Sequence, residues 1–193
     1  MTEGMRAAEP DVLMVDDEQR VADAYALRLE DVADVSVAYS GEAALSVLEA
    51  EPNPDVVLLD RHMPSMSGDA VLEEIREMEV DSRIIMVTAV DPGLDVLDLP
   101  FDDYLSKPVD RADLIAAVDT QCQVLAYELL GDYFRLASKH AVVAAQADTT
   151  DAAADDRLAD IEARLDDVES RIRTLLPEAG EILGEFDSID REA

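Results

Sequence analysis

Four short apolar runs punctuate the first half of the chain, at residues 12–15, 35–38, 56–59 and 84–87, with a weaker fifth at 104–105. Between them the apolar positions fall at helical spacing. Val21, Tyr25, Arg28 and Leu29 trace one helix, Ala44, Leu45 and Leu48 a second, and Val71, Leu72, Ile75 and Met78 a third on an i, i+3, i+4, i+7 stripe. Ser40 stands where an N-cap is needed before the second. Runs of four residues are too short for helices, and those at 12–15, 56–59 and 84–87 have no polar alternation, as expected of strands buried on both faces, whereas Ser36 interrupts 35–38. The alternation predicts an α/β fold with a doubly wound, five-stranded parallel sheet over residues 11–107. The fourth connection departs from the pattern, because Pro92, Gly93 and Pro100 leave room for little more than a turn or two of helix.

The second half reads as helical throughout. Asp110 is placed to cap a helix, with Asp113 near its positive end. Leu114, Val118, Leu125, Leu129, Tyr133, Leu136, His140 and Val143 share a broad apolar face up to about Gln146, interrupted only by Gly131. Residues 147–156, rich in Ala, Asp and Thr, read as a link. Leu158, Ile161, Leu165, Val168, Ile172 and Leu175 then recur at 3, 4, 3, 4, 3, the spacing of heptad a and d positions. Pro177 is expected to close that helix and leave a short, frayed acidic tail over 177–193, with a turn near 182–186. The expected division is therefore a tail at 1–10, an α/β domain at 11–120, a two-helix extension at 121–176 and the acidic tail.

The chain of 193 residues has 46 Asp and Glu against 15 Lys and Arg, a net charge of −31, and of the 15 bases only Lys107 and Lys139 are lysines. The acidic excess is spread along both halves, which points to a salt-rich habitat that screens self-repulsion rather than to one basic partner. No basic patch supplies a footprint for DNA. A single cysteine, Cys122, excludes an internal disulfide, and no apolar run approaches the length of a membrane span, so a cytoplasmic protein is expected.

In an open parallel sheet, ligands bind beyond the carboxyl ends of the strands. Asp16 and Asp17 follow the first run, Asp60 the third, Thr88 ends the fourth and Lys107 follows the fifth. Converging carboxylates call for a hard cation such as Mg²⁺, a lysine can neutralise a phosphoryl oxygen, a threonine hydroxyl can bind another, and an Asp carboxylate can attack phosphorus.

Asp16-Asp17, then Asp60-Arg61-His62-Met63-Pro64 with Gly68 four residues on, Thr88-Ala89 and Tyr104-Leu105-Ser106-Lys107-Pro108 together resemble the receiver domain of two-component response regulators. The resemblance implies a flavodoxin-like strand order of 2-1-3-4-5. It implies Asp60 as phosphoacceptor, with Mg²⁺ held by Asp16, Asp17, Asp60 and the His62 carbonyl. It further implies Thr88 and Lys107 as phosphoryl ligands, Thr88 and Tyr104 as switch residues, a cis peptide before Pro108, and a sensor histidine kinase as phosphodonor. Residues 121–176, through Tyr127-Glu128-Leu129-Leu130, Tyr133-Phe134 and Leu136-Ala137-Ser138-Lys139, resemble the HalX domain that follows receivers in haloarchaeal proteins.

The bland readings stand beside these. The His62 side chain is expected to face solvent, His140 and Cys122 to pack, and Lys139 to lie on the surface. The heptad stripe fits two arrangements, an intramolecular hairpin with residues 121–146 or a parallel homodimeric coiled coil. In the dimer Arg157, Arg164 and Arg171 occupy g positions and Glu162 and Glu169 occupy e positions. The function expected is a phosphorylation switch, not a turnover enzyme, that drives the helical module toward dimerisation or partner docking. Rivals are a phospho-regulated transcriptional regulator that binds DNA, and a haloacid-dehalogenase-like phosphatase. The latter calls for an Asp-x-Asp after the first strand, which this chain lacks.

Overall fold

The structure is a computed structural model that describes residues 9–50, 53–78, 80–89, 98–146, 152–180 and 182–184. All five expected strands form, as β1 (Asp11–Val15), β2 (Asp34–Ala38), β3 (Val56–Leu59), β4 (Arg83–Thr88) and β5 (Asp103–Ser106). They pair in parallel in the order β2-β1-β3-β4-β5. Val56, Val57, Leu58 and Leu59 are all solvent-free, as are Leu13 and Met14, so the sheet is covered on both faces. Each such side chain contributes about 1.5–3 kcal/mol of burial, which is why four residues suffice for a central strand.

Helices α1 (Gln19–Leu27), α2 (Gly41–Leu48) and α3 (Gly68–Glu77) alternate with the first four strands. Arg28 caps α1 at its carboxyl end and buried Leu29 lies just beyond it, so that helix is shorter than its apolar stripe suggested. Ser40 accepts a hydrogen bond from the Ala43 N–H at 3.1 Å, and Ser67 does the same for Ala70 at 3.3 Å, supplying the caps of α2 and α3. One core layer joins Leu13, Val15, Val57 and Leu59 of the sheet to Ala44 and Leu48 of α2 and Val71, Leu72 and Ile75 of α3. On the other face, the Val109 N–H donates to the Tyr25 hydroxyl at 3.2 Å, tying the entry of the next helix to α1. Most of the fourth connection, at residues 90–97 with Pro92 and Gly93, lies outside the described residues.

Helix α4 (Arg111–Gln146) is capped by Asp110, whose carboxylate accepts from the Asp113 N–H at 2.9 Å, and it continues through Gly131. Helix α5 runs from Ala152 to Leu175. Two compact units are distinguishable, residues 1–125 and 126–193. In the second, His140 Nε2 lies 3.1 Å from Glu162 Oε1, so α4 and α5 pass each other within one chain.

Two expectations about this half need correction. The link read over 147–156 is helical from Ala152 onward, because Ala152, Ala153 and Ala154 supply enough helix propensity to carry the Asp residues beside them. Beyond Pro177 the chain is not simply frayed. Ala179 and Leu183 are fully buried, the Ala179 N–H donates to the Leu176 carbonyl at 2.9 Å, and residues 179–180 and 182–184 are helical, the latter where a turn was expected. Residues 185–193 lie outside the described residues. Cys122 is buried and Lys139 exposed, as the sequence suggested.

Candidate functional site

Strand register brings the acidic residues together. Val15 pairs with Leu59, so the residues that follow, Asp16 and Asp60, emerge side by side at the carboxyl edge of the sheet. The edge is tied on both sides: Asp16 N–H donates to the Ala38 carbonyl at 3.1 Å and Asp60 N–H to the Val15 carbonyl at 2.9 Å. Asp16 and Asp60 are buried and Asp17 half-buried, with one carboxylate oxygen from each lying within 4.8 Å of the other two. Hard oxygen donors this close, in a crevice that still reaches solvent, fit a Mg²⁺ ion that keeps several waters.

Lys107 closes the crevice from β5. Its Nζ donates to Asp16 Oδ2 at 2.6 Å and to Asp60 Oδ1 at 2.7 Å. Burial works against the ammonium, but its hydrogen bonds to Asp16 and Asp60, with the charges of both carboxylates, outweigh burial and hold its pKa above the ordinary lysine value. The Lys107 N–H donates to the Thr88 carbonyl at 2.7 Å, and the peptide between Lys107 and Pro108 is cis. Thr88 is completely buried at the carboxyl end of β4, opposite Ser106 of β5. Tyr104 sits on β5, half-buried, its ring centre 5.8 Å from that of Phe101. It stands beside the central cluster rather than in it.

The remaining Asp60 oxygen, Oδ2, accepts the His62 N–H at 3.0 Å, while the His62 side chain is exposed. Two further contacts hold the β3–α3 loop, and the first carries no signature in a single sequence. Arg61 grips Asp69, eight residues on, with Nε 3.0 Å from Oδ1 and Nη2 3.1 Å from Oδ2. Gly68 packs so closely on Asp60 that a Cβ there would lie 2.2 Å from the Asp60 carbonyl oxygen and 2.8 Å from Arg61 Cα. Gly68 belongs to the motif quoted above, and the close approach is its physical reason. Ser65, at the tip of the loop, takes a left-handed φ of 68°.

The family model described as response regulator receiver domain matches residues 12–119, and that described as HalX domain matches residues 123–192. A protein of Haloferax volcanii named as a transcriptional regulator is 45% identical over 141 residues, covering 72% of this chain and 24% of its own length. The transcriptional regulatory protein CutR of Streptomyces coelicolor is 44% identical over 112 residues, 55% of this chain and 51% of CutR. The chain thus spans about a quarter and a half of these relatives. Among solved structures, the signal receiver domain of a LuxO-type repressor from Vibrio parahaemolyticus superposes with a TM-score of 0.59 at 26% identity, over 63% of this chain and 96% of that one. A CheY-like receiver from Methanospirillum hungatei gives 0.58 at 26% identity, covering 63% and 99%. With its receiver motif built into a five-stranded sheet of matching order and followed by a HalX region, the chain belongs to the response regulators of two-component systems.

Proposed function

We propose that this protein accepts a phosphoryl group on Asp60 from a sensor histidine kinase and passes the change of state to its C-terminal helices. The observation that carries the reading is the meeting of Asp16, Asp17, Asp60 and Lys107 at one sheet edge. An Asp60 oxygen attacks phosphorus, the phosphorus–nitrogen bond to the kinase histidine breaks, and the imidazole leaves, so that an acyl phosphate stands on Asp60. Asp16, Asp17, Asp60 and the His62 carbonyl are the proposed Mg²⁺ ligands; the ion, when bound, offsets the negative charge gathered by the carboxylates and the phosphoryl oxygens.

Lys107 is released from one carboxylate contact as the phosphoryl group arrives and pairs with a phosphoryl oxygen instead. Thr88 offers its hydroxyl to another, and Tyr104 senses the shift from β5. Both are thus switch residues of a two-state equilibrium, which phosphorylation biases. The site performs one transfer per activation and is read as a switch rather than a turnover enzyme.

For the output, the helical module is proposed to dimerise or dock a partner. A transcriptional role is the second reading, favoured by the names of the Haloferax and Streptomyces relatives. Asp60→Asn should abolish phosphoryl uptake from a small acyl-phosphate donor with Mg²⁺ in molar KCl, followed by intact mass. Undiminished uptake by that variant overturns the assignment.

A further inference from the structure

Helix α5 carries more pattern than a hairpin needs. Of its six stripe residues, Ile172 and Leu175 are buried, whereas Leu158, Ile161, Leu165 and Val168 are only half-buried by their own chain. Near the end of α4, Val142 is 59% and Val143 37% exposed. The contact of His140 with Glu162 brings that end of α4 alongside the first turns of α5, so the uncovered apolar residues of both helices lie in one region. Glu162 nevertheless stays 63% exposed.

The charges flanking the stripe are sorted. Arg157, Arg164 and Arg171 precede each a position at intervals of seven, and Glu162 and Glu169 follow the first two d positions. Arg157 and Arg164 are exposed and form no ion pair among the described residues, in a chain where acids outnumber bases three to one. Bases on one edge of the stripe and acids on the other form complementary rows that a second molecule with the same pattern can engage. Glu169 receives both Arg173 bonds on Oε1, at 2.9 and 2.6 Å.

We propose that the partner is a second copy of this chain, with the two α5 helices paired in parallel along the half-buried part of the stripe, Leu158, Ile161, Leu165 and Val168. In that register a faces a, d faces d, and each g residue lies beside the e residue five positions on in the other copy. Arg157 then meets Glu162 and Arg164 meets Glu169, twice each by symmetry. An antiparallel pair sets Arg against Arg and Glu against Glu. The proposal deepens the output half of the reading above and rests on it for what the dimer signals.

Light scattering on the full chain, at the lowest KCl concentration that keeps its circular dichroism, should give twice the 21.1 kDa chain mass. Reversing the g charges in R157E/R164E, or the e charges in E162R/E169R, should raise the dissociation constant about tenfold or more, and an equimolar mixture of the two should regain the parent's affinity. That mixture also separates lost pairing from lost folding. Leu158→Cys should cross-link to its own copy under mild oxidation, as only a parallel seam brings the two positions together. A monomeric parent chain, a dimer indifferent to both reversals, or no cross-link overturns the proposal. Phosphoryl uptake by Asp60, measured on the same samples, reports separately on the receiver.

Discussion

Gly68 shows how far one missing methyl group reaches. Its α-carbon lies against backbone atoms of Asp60 and Arg61, which cannot swing aside as a side chain could. Gly68→Ala should cost about 2–3 kcal/mol in denaturant unfolding and slow phosphoryl uptake, since relieving the clash displaces the backbone that aims the Asp60 carboxylate. Gly131 provides the contrast. Nothing lies within 4 Å of the Cβ it lacks, it is exposed, and it sits inside α4, so Gly131→Ala should stabilise by about 1 kcal/mol. The same denaturation series tests both signs. The central carboxylates were legible in the sequence because a short apolar run dictates where each strand ends, and Asp16, Asp17 and Asp60 follow such ends directly. The grip of Arg61 on Asp69 was not, since in a chain with 28 Asp residues no spacing singles one out.

At the level of elements, β1, β3 and β4 were readable for the reason that makes them stable: four consecutive apolar residues belong between two helical layers. Caps were readable where Ser or Asp stands alone before an apolar stripe, as at Ser40 and Asp110. The start of α5 escaped because Ala and Asp next to Thr read equally as a linker. The lock at the opposite end of the sheet escaped because its parts are distant in sequence. Asp102 accepts from Arg76 Nη2 at 2.7 Å, from Arg83 Nη2 at 3.0 Å and from the Ile84 N–H at 2.6 Å, while Arg83 Nε donates to Gln121 of α4 at 3.1 Å. These bonds pin α3, β4, the entry to β5 and α4 to one carboxylate. Asp102→Ala should lower stability by about 2 kcal/mol, because it takes the shared carboxylate from two guanidinium groups and leaves the buried Ile84 amide without its acceptor. Phosphoryl uptake should stay intact, since the lock lies at the amino ends of the strands. Lost uptake at unchanged stability would contradict this account.

For the molecule as a whole, the governing quantity is a net charge of −31. At 1 M salt the screening length is about 3 Å, and at 0.1 M about 10 Å, so dilution turns on repulsion between carboxylates that do not touch. Lowering KCl from molar to about 0.1 M should therefore reduce the melting midpoint by about 10 °C or more, read by circular dichroism; an unchanged midpoint would show that the acids are neutral to stability. No described helix is long and apolar enough to cross a membrane. The same composition leaves two lysines, one exposed on α4 and one wedged between Asp16 and Asp60. Lysine carrying ¹³C at Cε would thus give a two-line spectrum, with Lys139 as the reference and Lys107 as a reporter seated at the transfer site, without altering a single residue.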